Sequence, residues 1–501
     1  MPAILTGNIP QNDPLPIFPN YRANLFTLLG THYDMWVHED STQLCPRALC
    51  PLMDHRILKD NVLHWSGDLS ILLLHRALPK AIRHVLPDIG HTSGGFLSRF
   101  HHDKTTTQQE MILRDFRLWN TRWDRLKRLH QYVDYFDDFF SSIRKSNKPP
   151  LIYYLSSLPH VPWEYLPSGK RYSAKHFASI IPGLSKNEAW GSDAFLVKQG
   201  YQRHLLQVGY VDKIVGSFLD QLKDIGIYDE TLIIITSDHG ASFRANDFRR
   251  PVSKTNFSEI MSIPLFIKRP QQKQSHISYK PAASIDIVPT IFSVLNFNSP
   301  VQTMGHSLFD PTFFGHPKQL ILSKSNEDWL SNKQPILHEF TSAELVHGMS
   351  TAVEQKHRQF GPSNDPLSLF RIGPYPHLLG KKISTFVVND FHRAQIQFTP
   401  DEALNNLNLK DKTLPVVIAG HLKSLEKESL HIDLVITVNG TIGATAPIEI
   451  QKNTGKQFAL LIPEILLQNG MNDIDFFVIQ GEKSQPPILK RLRRDKGVFV
   501  Q

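Results

Sequence analysis

The stretch Thr231-Leu-Ile-Ile-Ile-Thr-Ser-Asp-His-Gly240 places a short apolar run directly before an aspartate, a histidine and a glycine. A continuous apolar run of this length is typical of a strand buried on both faces of a parallel sheet. A helical pattern over residues 202–225 precedes it and ends at Gly226, a common type of helix stop. The order predicts a helix that packs on a sheet, followed by a buried strand with polar residues at its end.

Strand and helix patterns alternate on both sides of this stretch. Further strands are predicted at 33–37, 151–155 and 264–268, and further helices at 24–30, 108–145 and 284–295. Alternation of this kind predicts an α/β fold, with a mostly parallel sheet and helices on both faces.

The pattern of the sequence changes three times after this region. We predict an α/β domain over residues 1–310, an irregular connecting region over 311–410, a small β-rich domain over 411–485 and a basic tail over 486–501. The β-rich domain is predicted because Asn-Gly turns separate apolar strand patterns at 414–419, 432–438 and 474–479.

Composition excludes several classes of protein. The 501 residues are 41% hydrophobic and 20% charged, which excludes a disordered or fibrous chain. The net charge is a mild +8, and the basic run at 489–496 has no aromatic stacking platform beside it, so we predict a solvated tail and no nucleic-acid partner. No apolar run is long enough to span a membrane, and the first seven residues lack the basic region of a signal peptide. On these features alone the chain is predicted to be cytoplasmic.

Cys45 and Cys50 are the two cysteines of the chain. Two thiols alone build neither a disulfide framework nor a zinc site. A short loop closed by a disulfide and a pair of free thiols both remain open, because the choice depends on the redox compartment.

In an open parallel sheet, ligands bind beyond the carboxyl ends of the strands. Asp238 and His239 follow one predicted strand, and His160 follows another. A carboxylate next to an imidazole is a plausible divalent-metal pair, although a polar turn capped by Asp238 is the alternative. His160 lies between Pro159 and Pro162, and it could contact an anionic oxygen, protonate a leaving group or be purely structural.

Other residues are weaker candidates for binding a substrate or a metal. Arg249, Arg250 and Lys254 could hold the negative charge of a substrate, or could be ordinary surface charge. The cluster at 101–103, His-His-Asp, is interpreted as solvated and not as a second metal site.

The order of these motifs resembles the sulfatase-like branch of the alkaline phosphatase superfamily. Pro2-Ala-Ile-Leu-Thr-Gly7 is similar to the start of the helix that follows the family's nucleophile, Pro159-His-Val-Pro-Trp163 to its substrate-histidine loop, and Thr236-Ser-Asp-His-Gly240 to its metal loop. Ser284-Ile-Asp-Ile-Val-Pro-Thr290 and Gly305-His-Ser-Leu308 resemble its later helix and closing loop. Within the superfamily, the chain most resembles bacterial proteins with an N-terminal membrane bundle and an exported catalytic domain.

The resemblance implies an alkaline-phosphatase-like fold and a metal-assisted displacement at a sulfate or phosphate ester, by hydrolysis or by transfer. Asp238 and His239 would bind one or two divalent ions (manganese, zinc or calcium), and His160 would contact the transferring group. Lys254 is similar to the family's substrate-binding lysine, and Arg249 and Arg250 would bind substrate. The implied substrate is a small-molecule, lipid or glycan ester. The implied location is the cell membrane, with the catalytic domain outside it.

Members of this branch carry a metal-binding carboxylate and a nucleophilic Thr, Ser or modified Cys upstream of the segment that resembles residues 2–7. We therefore expect a truncated start and a membrane anchor in the missing part. The alternative is a catalytically inactive binding module that keeps the fold. Cys45-Pro-Arg lacks the spacing of the formylglycine signature, and Thr6 is similar to the family's helix threonine.

Overall fold

A computed structural model of the chain describes residues 1–10, 15–50, 73–74, 135–143, 148–172, 181–185, 188–323, 336–361, 365–398, 402–452, 455–480 and 487–495. The predicted helix at 108–145 falls within this part only at its end, and the 101–103 cluster lies outside it.

The N-terminal half alternates strands and helices, as the sequence predicts. Its elements are α1 (Pro2–Thr6), α2 (Leu25–Leu29), β1 (Asp34–Glu39), α3 (Tyr135–Ser142), β2 (Pro150–Leu155), α4 (Ala194–Asp224), β3 (Ile233–Thr236), α5 (Phe257–Met261), β4 (Leu265–Lys268) and α6 (Ile287–Val294). β1 and β2 pair in parallel, with Asp34 opposite Pro150 and Glu39 opposite Leu155. β3 and β4 pair antiparallel, so this pair departs from a purely parallel arrangement.

Helices cover both faces of the β1–β2 pair. Alternate residues such as Met35 and Leu151 pack with α1, α2 and α6, in a core that also contains Ile234 of β3 and Leu265 of β4. The residues between them, for example Trp36, face the opposite way and pack with α3 and α4. The two-residue alternation of a strand therefore places β1 and β2 between two helical layers, which confirms the predicted α/β class.

The long helix α4 connects the two halves of the chain. It begins at the N-cap Asp193, whose carboxylate accepts hydrogen bonds from the backbone N–H groups of Phe195 and Leu196. Gln199 then donates to the carbonyl of Ala459 in the C-terminal part, at 3.1 Å. One helix thus packs against both the α/β part and the β-rich part.

The β-rich part predicted at the C-terminus is a seven-stranded sheet, larger than the sequence patterns indicate. Its strands are β7 (Val388–Gln397), β8 (Val417–Ser424), β9 (Leu430–Val438), β10 (Thr441–Ile450), β11 (Lys456–Leu461), β12 (Ile474–Gln480) and β13 (Ile488–Arg494), in the order β10-β9-β12-β13-β7-β8-β11. β13 pairs in parallel with β7, and the other neighbouring strands are antiparallel.

Two interpretations of the sequence require correction here. The run interpreted as a solvated basic tail contains β13, which lies in the middle of the sheet because Leu489 and Leu492 are buried. The region interpreted as irregular contains the hairpin strands β5 (Lys318–Ser323) and β6 (Ile336–Thr341), the helix α7 (Ser342–Phe360) and the strand β7. Within the described residues, no helix is long and apolar enough to cross a membrane.

The central position of β13 predicts how its residues respond to truncation. Leu489→Ala should lower the free energy of unfolding by about 2–5 kcal/mol, because Leu489 is completely buried. Arg493→Ala, on the same strand but exposed, should change it by less than about 0.5 kcal/mol. Urea unfolding of the three proteins checks this, and equal small effects of both variants would support a solvated tail instead.

Candidate active site

The parallel register of β1 and β2 brings their carboxyl ends together. Asp40 follows β1 and Ser157 follows β2, and the backbone N–H of Ser157 donates a short hydrogen bond to Oδ2 of Asp40. The backbone N–H of His160 in turn donates to the carbonyl of Ser157 at 2.7 Å. Ser157 therefore connects the predicted histidine loop to a carboxylate at the end of the neighbouring strand.

The loop after β3 presents Asp238 and His239 at the molecular surface, with 48% and 30% of their side chains exposed. Nδ1–H of His239 donates to the carbonyl of Gly240 at 2.7 Å, which leaves the lone pair of the ring on Nε2. That nitrogen lies 3.9 Å from Oδ1 of Asp238. The backbone contact thus selects the tautomer in which Nε2 can bind a metal.

Gly240 permits this loop to pass close to α5. Its N–H donates to the carbonyl of Ile260 at 2.6 Å, and a Cβ atom at this position would lie 2.1 Å from the carbonyl oxygen of Glu259. A side chain there would push the loop away from α5, so the position of Asp238 and His239 depends on this glycine.

Burial and charge couple Asp40, Asp238 and Tyr153. Burial raises the pKa of Asp40, and the negative charge of Asp238 raises it further against the hydrogen bonds that the carboxylate accepts from Ser157 and Ser41. The pKa of the Tyr153 hydroxyl is also raised, mainly by burial and then by Glu39, Asp40 and Asp238. These effects place the carboxylates of Asp40 and Asp238 in one electrostatic environment, although the two follow different strands.

The first residue of the chain lies near the same loop. Burial lowers the pKa of the Met1 amino group, and the charge of Asp238 acts in the opposite direction. The start of α1 is therefore beside the Asp238 loop.

Asp40, Asp238 and His239 carry the donor types that bind a divalent cation, although the ligand atoms of these three described residues do not all lie within 4.8 Å of one another. Oδ1 of Asp40 and the hydroxyl of Tyr153 are buried, and neither has a hydrogen-bond partner among the residues that the structure describes. Buried polar atoms are normally paired, so each such atom requires an explanation. Two carboxylates and one neutral imidazole supply the oxygen and nitrogen ligands that such ions bind in proteins.

The loop at 158–162 is held by a hydrogen bond from α4. The Leu158–Pro159 and Val161–Pro162 bonds are cis, and Gln207 of α4 donates to the carbonyl of His160 at 2.8 Å. Nδ1–H of His160 donates to the carbonyl of Val161 at 2.8 Å, so the lone pair is again on Nε2. The imidazole is thereby oriented by its own backbone, as in His239.

The three predicted basic residues occupy different environments. Arg249 is buried and forms an ion pair of 2.8 Å with Glu188. Arg250 is exposed, and its positive charge lowers the pKa of His239 after the larger effect of burial. Lys254 is exposed in the turn before α5, and no described contact joins it to Asp238 or His239. Substrate binding by these residues stays a prediction.

Glu39, the last residue of β1, holds the cysteine-containing loop beside the site. Its carboxylate accepts hydrogen bonds from the hydroxyl of Thr42 and from the backbone N–H groups of Leu44 and Cys45, at 2.6–3.1 Å. Cys45 and Cys50 are joined in a disulfide. The alternative that the sequence left open is therefore resolved in favour of the bonded form.

A family model described as Sulfatase matches residues 100–297. That stretch contains His160, Asp238 and His239, which the sequence predicts to lie at one end of the sheet. The chain is sulfatase-like. Asp40 lies outside the matched residues, so its place in the site comes from the structure alone.

Two relatives match parts of the sulfatase-like chain. An endo-4-O-sulfatase from Bacteroides thetaiotaomicron is 24% identical over 208 residues, which are 40% of this chain and 39% of that protein. The N-acetylglucosamine-6-sulfatase of Homo sapiens is 24% identical over 198 residues, 35% of this chain and 36% of that protein. The chain thus spans less than two fifths of the length of these relatives.

Among solved structures, a phosphonate monoester hydrolase from Silicibacter pomeroyi is 14% identical, with a TM-score of 0.33 over 71% of this chain and 85% of that one. The two structures therefore overlap only loosely.

His204 of α4 gives a prediction about the histidine loop. Its ring nitrogens are buried against Trp163 and Phe243, and it donates to the carbonyl of Pro159. Burial, with the charge of Arg249, lowers the pKa of His204 to about 4. The unfolded chain takes up a proton near pH 6.5, whereas the folded chain does not, so the contribution of His204 to stability is lost as the pH falls through this range.

Between about pH 7.5 and about pH 5, His204 alone should lower the free energy of unfolding by about 2 kcal/mol. Urea unfolding of the wild type and of His204→Gln at both pH values measures this loss of stability. The variant is a suitable reference because glutamine keeps a hydrogen-bond donor but does not titrate. Identical losses of stability in the two proteins would show that His204 is protonated equally in both states.

Proposed function

We propose that the sulfatase-like chain binds a divalent cation through Asp40, Asp238 and His239 and hydrolyses a sulfate or phosphate ester at that site. The observation that carries the proposal is the buried Oδ1 atom of Asp40, which lacks a described partner and shares its electrostatic environment with Asp238. A bound cation would satisfy that oxygen and offset the repulsion between the two carboxylates.

The chain's own residues would then orient the ester for attack by water on the sulfur or phosphorus atom, with the alcohol as the leaving group. When bound, the cation would polarise an ester oxygen as a Lewis acid. His160, fixed by the bonds to Val161 and Gln207, would direct Nε2 toward the transferring group, where an imidazole can bind an oxygen or move a proton. The exposed Arg250, close enough to affect His239, would attract the anionic ester.

The names of the relatives support a sulfated sugar as the substrate class. Both relatives reported above are named as sulfatases, and one is named for N-acetylglucosamine. The half-exposed position of Asp238 and His239 is compatible with a bulky substrate, because the cation would lie at the surface and not in a closed cavity. Hydrolysis is the reaction to test first, and transfer to another acceptor is the alternative.

The metal site can be tested without any substrate. Asp40→Asn and Asp238→Asn should each weaken the binding of Mn²⁺ or Ca²⁺ to EDTA-treated protein by at least about tenfold, because each removes a charged oxygen ligand. Isothermal titration calorimetry measures this. Asp220→Asn is the matched control, since Asp220 is 71% exposed on α4 and pairs with Lys223.

If Asp40→Asn binds the ion as tightly as Asp220→Asn does, Asp40 is not a ligand and the proposed site is wrong. Circular dichroism of each variant separates loss of a ligand from loss of the fold.

Turnover and ester binding are tested separately. With the preferred ion present, 4-nitrophenyl sulfate or 4-nitrophenyl phosphate should be hydrolysed, and His160→Gln should lower kcat/KM by about 100-fold while metal affinity is unchanged. Binding of inorganic sulfate or phosphate without any turnover by the wild type would support a binding module with this fold instead. Equal kcat/KM values for the wild type and His160→Gln would remove His160 from the reaction.

A further inference from the structure

A second group of metal-ligating side chains lies outside the candidate active site. Asp286 ends a short 3₁₀ turn (Ser284–Asp286) directly before α6, and His306 and His316 come from the following loop. One ligand atom from each of the three lies within 4.8 Å of the others, and none of the proposed active-site residues belongs to this group.

The carboxylate of Asp286 is fully buried and fixed in orientation. Oδ2 accepts a hydrogen bond from the N–H of Ala283 at 2.8 Å, and Oδ1 accepts one from the N–H of His306 at 2.9 Å. Both oxygens also contact Nε2 of His316, at 2.9 and 3.0 Å. The backbone thus aims both carboxylate oxygens at one imidazole nitrogen.

The two imidazoles are positioned by a shared aromatic ring. His306 stacks on Phe313 with the ring centroids 5.0 Å apart, and His316 meets the same ring edge-on at 5.1 Å. The N–H of His316 donates to the carbonyl of Pro281 at 2.9 Å. His316 is therefore anchored by its backbone and ring, whereas the exposed His306 can adjust by rotating its side chain.

We propose that Asp286, His306 and His316 form a second divalent-cation site, for a zinc-like ion with two nitrogen ligands and one oxygen ligand. Tetrahedral bonds of about 2.0–2.2 Å to zinc place two ligand atoms roughly 3.3–3.6 Å apart. The contacts between Asp286 and Nε2 of His316, at 2.9 and 3.0 Å, are a little shorter. The ion would therefore take the place of the hydrogen between them while the imidazole moves outward by a few tenths of an ångström. His306 closes the third position by a small rotation, and solvent supplies the fourth.

This site has a structural consequence that does not depend on the proposed function. The loop that carries His306 and His316 also meets α1, because the N–H groups of Met304 and Gly305 donate to the carbonyl of Gly7. A cation bound to both histidines and Asp286 would hold this loop against the start of α6, where the 3₁₀ turn ends. Closed sites with protein ligands of this kind stabilise folds.

The test uses the full chain with Asp238→Asn as the background, so that the candidate active site does not contribute. Titration with Zn²⁺, and with Co²⁺ followed by its visible absorption, should reveal one tight site. His306→Ala and His316→Gln in this background should each weaken Zn²⁺ binding by at least about tenfold. His276→Ala, which removes an exposed histidine elsewhere, should leave it unchanged.

If the background protein binds no Zn²⁺, or if His306→Ala binds it as tightly as His276→Ala, the site is refuted. His306 is exposed, so its variant remains informative even where His316→Gln fails to fold. His306→Ala can also be made in the chain that keeps Asp238. If that variant loses zinc binding but still binds Mn²⁺ or Ca²⁺ at the candidate active site, the two proposed sites are independent of each other.

Discussion

The parallel pairing of β1 with β2 is the constraint on which the candidate active site depends. Because Glu39 lies opposite Leu155, the next residues of the two strands emerge side by side, and Asp40 meets Ser157. The register itself is fixed by burial: a shift of one residue would exchange Met35 with Trp36 between the two helical layers. The packing of these helices therefore also determines where the polar residues after the two strands lie.

Buried side-chain hydrogen bonds position the loops that follow these strands. Glu39 uses its carboxylate to hold the backbone of the disulfide loop, and Gln207 uses its amide to hold the carbonyl of His160. Such groups are costly to bury unless their hydrogen bonds are made, so each contact specifies one loop conformation. Asp40 is the exception, since one of its oxygens is buried without a described partner.

The rule that ligands bind beyond strand ends predicts His160, Asp238 and His239 as site residues from the sequence, and it does not single out Asp40. The predicted strand stopped at 37 because His38 and Glu39 interrupt the apolar pattern. In the structure His38 stacks on Tyr154 at 4.7 Å and continues the strand. The strand β13 was missed for a related reason: its buried Leu489 and Leu492 are three residues apart, and a register irregularity follows Leu492. By contrast, α7 has a readable start, because Thr341 and Glu344 form a capping box.

The opposite pKa shifts of Asp40 and His239 have a common physical origin. Burial disfavours the charged form of each, so the pKa of the acid rises and the pKa of the imidazole falls. The charge of Asp238 adds to the effect of burial on the pKa of Asp40. The charge of Arg250 adds to the effect of burial on the pKa of His239, which the charge of Asp238 opposes. A divalent cation requires a neutral imidazole, which burial already favours, and it stabilises the carboxylate form that burial disfavours. Under the proposed function, one bound cation would meet both requirements, because it would contact the buried oxygen of Asp40 and the lone pair of His239.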